Sequence, residues 1–346
     1  KTHFGEAAWY AWPDKALPRR DPAALEPWRT ALAEDIAFHQ TVQFWFFSQW
    51  RALKDHANGL GVGIIGDLPI YVSLDSADVW SERKAFLLDE TGRPSRVAGV
   101  PPDYFSEEGQ LWGNPLYDWA AMKADGFGWW IRRVEGASRL FDAIRIDHFR
   151  AFERYWSVPA GAETAREGRW EPGPGLDLLH VLTGWFPHIT YIAEDLGLLT
   201  PEVHQLREAA GLPGMKVLEF AFDHPGNAYL PHNYDSRRCI CYTGTHDNDT
   251  ALGWYDHAAE SERAFAERYL GASGRENVRR ALLRCGMGST AELFVAQMQD
   301  YLALGSEGRI NVPGVADGNW RWRMAPGAAA AELAAEIRAL TETYGR

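Results

Sequence analysis

The chain has 346 residues, 46% of them hydrophobic and 24% charged, enough to build a large core. Lys and Arg number 35 against 47 Asp and Glu, a net charge of −12 without a basic cluster. Nucleic acid and anionic membrane surfaces are therefore excluded as natural partners, and a neutral substrate is compatible. The three cysteines, Cys239, Cys241 and Cys285, have no zinc-like spacing and read as free, mostly buried thiols of a reducing, cytoplasmic compartment. No apolar run approaches ~20 residues, so no membrane-spanning helix is expected.

In chain order, residues 1–20 are aromatic, Pro-rich and irregular. Residues 21–58 contain no Gly, carry their prolines only at Pro22 and Pro27, and repeat apolar residues at helical spacing up to Gly59, which predicts a helix. A series of short β-rich runs follows: 62–67, 141–147, 189–194, 216–222, 239–243 and 293–298. Helical stretches such as 201–210 and 258–270 lie between most of them. Strands alternating with helices predict a parallel sheet in an α/β fold. Asp67, Asp147, Glu194 and Thr245-His246-Asp247 stand at strand ends, the habit of a (β/α)8 TIM barrel, whereas an open doubly wound sheet concentrates ligands in one crevice. Six strands are legible where a barrel needs eight, so the expectation is a barrel lacking about its first two βα units. The whole of 1–346 reads as one catalytic domain. Two excursions, 68–128 and 149–188, are expected to be loops or small subdomains over the strand ends. Residues 325–346 read as a closing helix with Leu333, Ile337 and Leu340 on one face.

Gly61-x-Gly63-x-x-Gly66 fits a dinucleotide fingerprint only as a bare pattern, because these glycines precede and enter a strand instead of joining a strand to a helix. In Arg145-Ile146-Asp147-His148, residues two apart share a strand face, so Arg145 and Asp147 point together. A guanidinium beside a carboxylate favours the ionised acid, as a nucleophile needs; a structural ion pair is the equal alternative. Glu194 ends the next strand. A second carboxyl in a drier place keeps its proton, and the pair would serve a retaining glycosidase. The competing reading makes Asp195 a helix N-cap with Glu194 merely in the first turn. Thr245-His246-Asp247-Asn248-Asp249-Thr250 suits polyol hydroxyls better than a metal. Among 16 Trp, 13 Tyr and 16 Phe, Trp112 stands between glycines, away from strand periodicity, and is expected to line a site.

Seven segments in order, GDLPIYVSLDSADVW, VAGVPPDYFSEEGQLWGNPLYDW, RIDHFR, AEDLG, GLPGMKVLEFAF, YTGTHDNDT and GRINVPG…GNWRWR, resemble the amylomaltases, 4-α-glucanotransferases of glycoside hydrolase family 77. The resemblance implies an α-amylase-type (β/α)8 barrel acting on α-1,4-glucan or maltooligosaccharide donors and acceptors, with no metal or organic cofactor. It implies that Asp147 is the nucleophile, Glu194 the general acid/base and Asp247 the third acid. Arg145 and His246 would assist by binding the reacting glucose. Asp67, Asp103, Trp112, His148, Phe220 and Asn319 would line substrate subsites. Ala151 departs from the family's usual Gly after RIDHFR. Two alternatives remain open: an amylase-type hydrolase with water as acceptor, and a non-catalytic glucan-binding module.

Overall fold

Alternation of β-rich and helical runs is realised in the computed structural model, which describes residues 1–102, 106–197, 199–315 and 317–346. Ten strands occur among the described residues: β1 (Ile65–Leu68), β2 (Arg96–Val100), β3 (Gln110–Pro115), β4 (Ala143–Ile146), β5 (Arg154–Pro159), β6 (Arg169–Pro172), β7 (Thr190–Ala193), β8 (Gly214–Val217), β9 (Cys239–Tyr242) and β10 (Leu293–Val295). The chain divides into two compact units, Lys1–Leu212 and Pro213–Arg346.

The first unit holds a parallel sheet in the order β1-β4-β7, with Asp67 opposite Arg145 and Ile146 opposite Ala193. Ile144 and Ile146 are fully buried in its core beside Trp130, Phe149 and Phe152. Gly66 is needed where β1 passes the ring of Phe141: a Cβ there would lie 2.0 Å from Phe141 Cδ2. That contact is the physical reason for a glycine which, as sequence, mimics a nucleotide fingerprint.

The two excursions are not irregular. They supply β2, β3, β5 and β6, an antiparallel sheet ordered β3-β2-β5-β6 with its own small cluster of Val97, Val158 and Ala165. These runs are short and interrupted by Pro and Gly, so they show no period-two pattern long enough to read. Trp112 therefore lies on β3, not in an irregular loop as expected.

The segment 21–58 forms two helices, Pro22–Ala31 and Ala33–Gly59, broken at Leu32. Asp21 caps the first by accepting from Ala23 N at 3.0 Å, with Pro22 in the first turn. The second is fastened by Lys54 Nζ to Asp142 at 2.6 Å, Asn58 to Asp142 at 2.9 Å and Trp50 Nε1 to Leu140 O at 2.9 Å. Asp142 is held down at about 2: its burial is outweighed by bonds from Lys54, Asn58 and Ile64 N.

The second unit holds the parallel order β8-β9-β10, packed on Leu218, Phe222, Cys241 and Leu282. Two runs are shorter as strands than their composition suggests. The run 216–222 turns into a 3-10 helix at Leu218–Phe220, and 293–298 gives way to the helix Met298–Tyr301. The closing helix is Ala331–Tyr344, with Leu333, Ile337 and Leu340 partly buried on one face. Cys239 and Cys241 are buried and all three cysteines are free thiols. No helix among the described residues is long and apolar enough to cross a membrane.

Candidate active site

In the first unit, parallel pairing aligns the ends of β1, β4 and β7. The buried Arg145 guanidinium lies between two carboxylates, donating to Asp67 Oδ2 at 2.6 Å and Asp147 Oδ1 at 3.1 Å. Burial opposes its charge, but Asp67, Asp147 and Glu194 together outweigh that and keep it cationic. Asp147 leaves the end of β4 with its N–H on Leu68 O at 3.1 Å.

Glu194 leaves the end of β7 and is fixed by backbone donors on both carboxyl oxygens. Oε2 accepts from His148 N and Oε1 from Leu196 N, each at 2.8 Å. These bonds and Arg145 favour the carboxylate, yet desolvation, helped by Asp147, prevails and pushes the group up to about 7. Glu194 can therefore hold a proton near neutrality while Asp147 stands against a guanidinium.

His148 is a non-glycine residue in the left-handed region, φ 51°, and this turn aims its N–H at Glu194. Burial, with Arg150 nearby, lowers its imidazole to about 3, so the ring is neutral. Trp112 packs edge-on against that ring at 4.8 Å and is 38% exposed. Asp195 does not cap the next helix, whose N-cap is Thr200. It is buried against Arg207 of that helix at 3.2 Å. Asp103 lies outside the described residues.

In the second unit the segment after β9 is a tightly bonded turn. Thr245 N and Oγ1 both donate to Asn248 Oδ1 at 2.9 Å, and Thr250 Oγ1 accepts from Gly253 N at 3.0 Å, capping the helix Ala251–His257. Asp247 is held from the GRINVPG segment: Asn311 Nδ2 donates to its Oδ1 at 2.6 Å and Arg309 to its carbonyl at 2.8 Å. His246 Nε2 lies 3.5 Å from Asp247 Oδ2, and both side chains are partly exposed. Beneath the turn, Asp300 accepts from Thr243 Oγ1 at 2.6 Å and Ala251 N at 2.7 Å. Glu219 is buried beside it. Desolvation, then Asp300 and Asp249, push its carboxyl well above the ordinary range.

Asn311 and Arg309 escaped the sequence reading of individual residues, although the segment carrying them was singled out. Asn319, expected to line a subsite, bonds through its carboxamide to Val312 N and O and to Val315 O. Phe220 is 38% exposed at the end of its 3-10 turn. Among the described residues no three His, Cys, Asp or Glu side chains are placed to hold a metal ion.

The sequence profile of the family described as 4-alpha-glucanotransferase, glycoside hydrolase family 77, matches residues 1–329. The chain belongs to that family. It is 52% identical to the 4-alpha-glucanotransferase of Thermus thermophilus, over 100% of this chain and 70% of the relative. It is 47% identical to that of Synechocystis, over 100% of this chain and 69% of the relative. The amylomaltase from Streptococcus agalactiae, solved in complex with acarbose, superposes with a TM-score of 0.95 at 39% identity, covering 100% of this chain and 70% of that one. The α/β fold is thus the amylase-type fold of this family, as the sequence indicated.

Proposed function

We propose that this enzyme, a glycosyltransferase acting on α-1,4-glucans, works by a retaining double displacement with Asp147 as nucleophile and Glu194 as acid/base. The observation that carries the assignment is Glu194 itself, pushed up to about 7 while gripped by two backbone N–H groups, on the strand beside the one that leads to the Arg145-braced Asp147. Protonated Glu194 gives its proton to the glycosidic oxygen as the bond to the anomeric carbon breaks and an Asp147 oxygen bonds to that carbon. Glu194, now a carboxylate, takes the proton from the 4-hydroxyl of an incoming glucan, whose oxygen displaces Asp147 and restores the configuration. Asp247, braced by Asn311, is assigned as the third acid from the family pattern. His246 joins it in binding sugar hydroxyls. Asp67 serves this chemistry through Arg145, and Trp112 and His148 line the glucan path. Phe220 is a further substrate contact. A maltooligosaccharide or longer α-1,4-glucan is both donor and acceptor. A cytoplasmic location fits three cysteines that form no disulfide.

Incubation with maltotriose tests the reading. Glucose together with maltopentaose and longer sugars is the expected outcome. Glucose and maltose alone would assign the chain to hydrolysis and refute transfer.

A further inference from the structure

Beyond the acids of the site, one aromatic side chain of the second unit is both exposed and set on strained backbone. Trp320 is 64% exposed, so most of a large apolar surface is left in water. It also sits in the left-handed region, φ 61°, a conformation disfavoured for a non-glycine residue and one that gathers at ligand sites. A lone surface tryptophan is ordinary; one held on strained backbone by a closed loop is not. Trp320 N donates to Ile310 O at 2.8 Å, and the preceding Asn319 closes the loop onto Val312 and Val315. One residue beyond Ile310, Asn311 grips the Asp247 carboxylate. The Trp320 ring leans on His246 at 5.1 Å and 43°. Backbone and ring contacts thus fix an exposed indole next to the His246–Asp247 pair.

We infer that Trp320 is a stacking platform for a glucose ring of the α-1,4-glucan, the ring adjoining the one whose hydroxyls His246 and Asp247 hold. The chemistry is that of a flat apolar face against the C–H face of a neutral pyranose, which suits the uncharged substrate of an acidic protein. The inference rests on the glucan reading of the preceding subsection and deepens it by naming what binds beside that pair.

The test is calorimetric titration of maltoheptaose into the full chain carrying Asp147→Asn, which prevents turnover. Adding Trp320→Ala is expected to weaken Kd roughly tenfold, and Trp320→Phe to restore it to within about threefold, because a ring face survives. Trp185→Ala, which removes a tryptophan of equal 64% exposure elsewhere, should leave Kd unchanged. Thermal midpoints matching the parent show that each variant is folded. In the otherwise unmodified chain, Trp320→Ala should raise KM for maltotriose roughly tenfold with kcat within about twofold. Equal affinity of the Trp320→Ala and parent chains overturns the platform and leaves the glucan reading intact. No maltoheptaose binding by the Asp147→Asn chain overturns both.

Discussion

Replacing Glu194 by Gln isolates the competition that sets the acid/base. Desolvation drives the carboxyl from the usual 4.5 to about 7 against the pull of Arg145 and two backbone donors. Between those values the folded chain keeps a proton that the unfolded chain has lost, so the Glu194 contribution to stability falls as pH rises from 4.5 through 7. The whole interval corresponds to roughly 3 kcal/mol, and to about 1–3 kcal/mol once residual solvent access is allowed for. Gln does not titrate. It also has a single acceptor oxygen for the two N–H groups of His148 and Leu196, so one is left facing an amide NH2 at a cost of ~1–3 kcal/mol. The offset between parent and variant therefore mixes two effects, whereas its pH slope reports only the carboxyl. Thermal midpoints measured in parallel from pH 4.5 to 8 should show the parent losing several degrees relative to Glu194→Gln, with the change complete near pH 7.5. Activity follows the same titration: parental kcat/KM should fall about tenfold per pH unit above about 7, and the variant should be on the order of 10^3-fold slower. A midpoint difference constant to within about 1 °C across this range would refute the raised carboxyl and the argument built on it.

The remaining predictions concern the other proposed acids and the scaffold. Asp147→Asn should abolish transfer by on the order of 10^4-fold or more while maltooligosaccharide binding persists, read by product analysis and calorimetry. Asn311→Ala removes the 2.6 Å bond to Asp247 Oδ1, and kcat/KM for maltotriose should drop about 10- to 100-fold with an unchanged thermal midpoint. Gly99→Ala puts a Cβ 2.5 Å from Gln110 O, where β2 passes β3, and should destabilise the first unit by about 1–3 kcal/mol in denaturant unfolding.

The parallel strands were legible in the sequence because each is an apolar run closed by a polar residue. Ile144 and Ile146 had to be buried, and Arg145 and Asp147 were thereby committed to one face. Strand lengths were less legible. Lys216–Phe222 is β-rich throughout, yet Leu218–Phe220 coils into a 3-10 turn that buries Leu218 and Glu219. The antiparallel sheet was invisible for a different reason. Its halves, β3 with β2 and β5 with β6, are local pairings of short irregular runs, but the joint between them spans about 60 residues, Arg96 with Pro159 for example, and leaves no local signature. Propensity reports what a segment can do alone, and β2 and β5 become neighbours only through a pairing distant in sequence.

The site divides along the same line. Asp147, Glu194 and Asp247 announce themselves as acids at strand ends, but the surroundings that would suit them to the roles proposed above are supplied by groups with no sequence signal. The proton on Glu194 depends on burial outweighing two backbone N–H groups, one of them aimed by the left-handed turn at His148. A side chain's identity cannot state that balance; only its surroundings can. Asn319 shows the converse. A polar residue in a family segment invites a ligand role, and its carboxamide also ties it to Val312 and Val315, which the sequence does not announce. One residue further on, Trp320 stands in the left-handed region beside His246. The bonds of Asn319 thus brace the backbone that presents the proposed stacking face of Trp320.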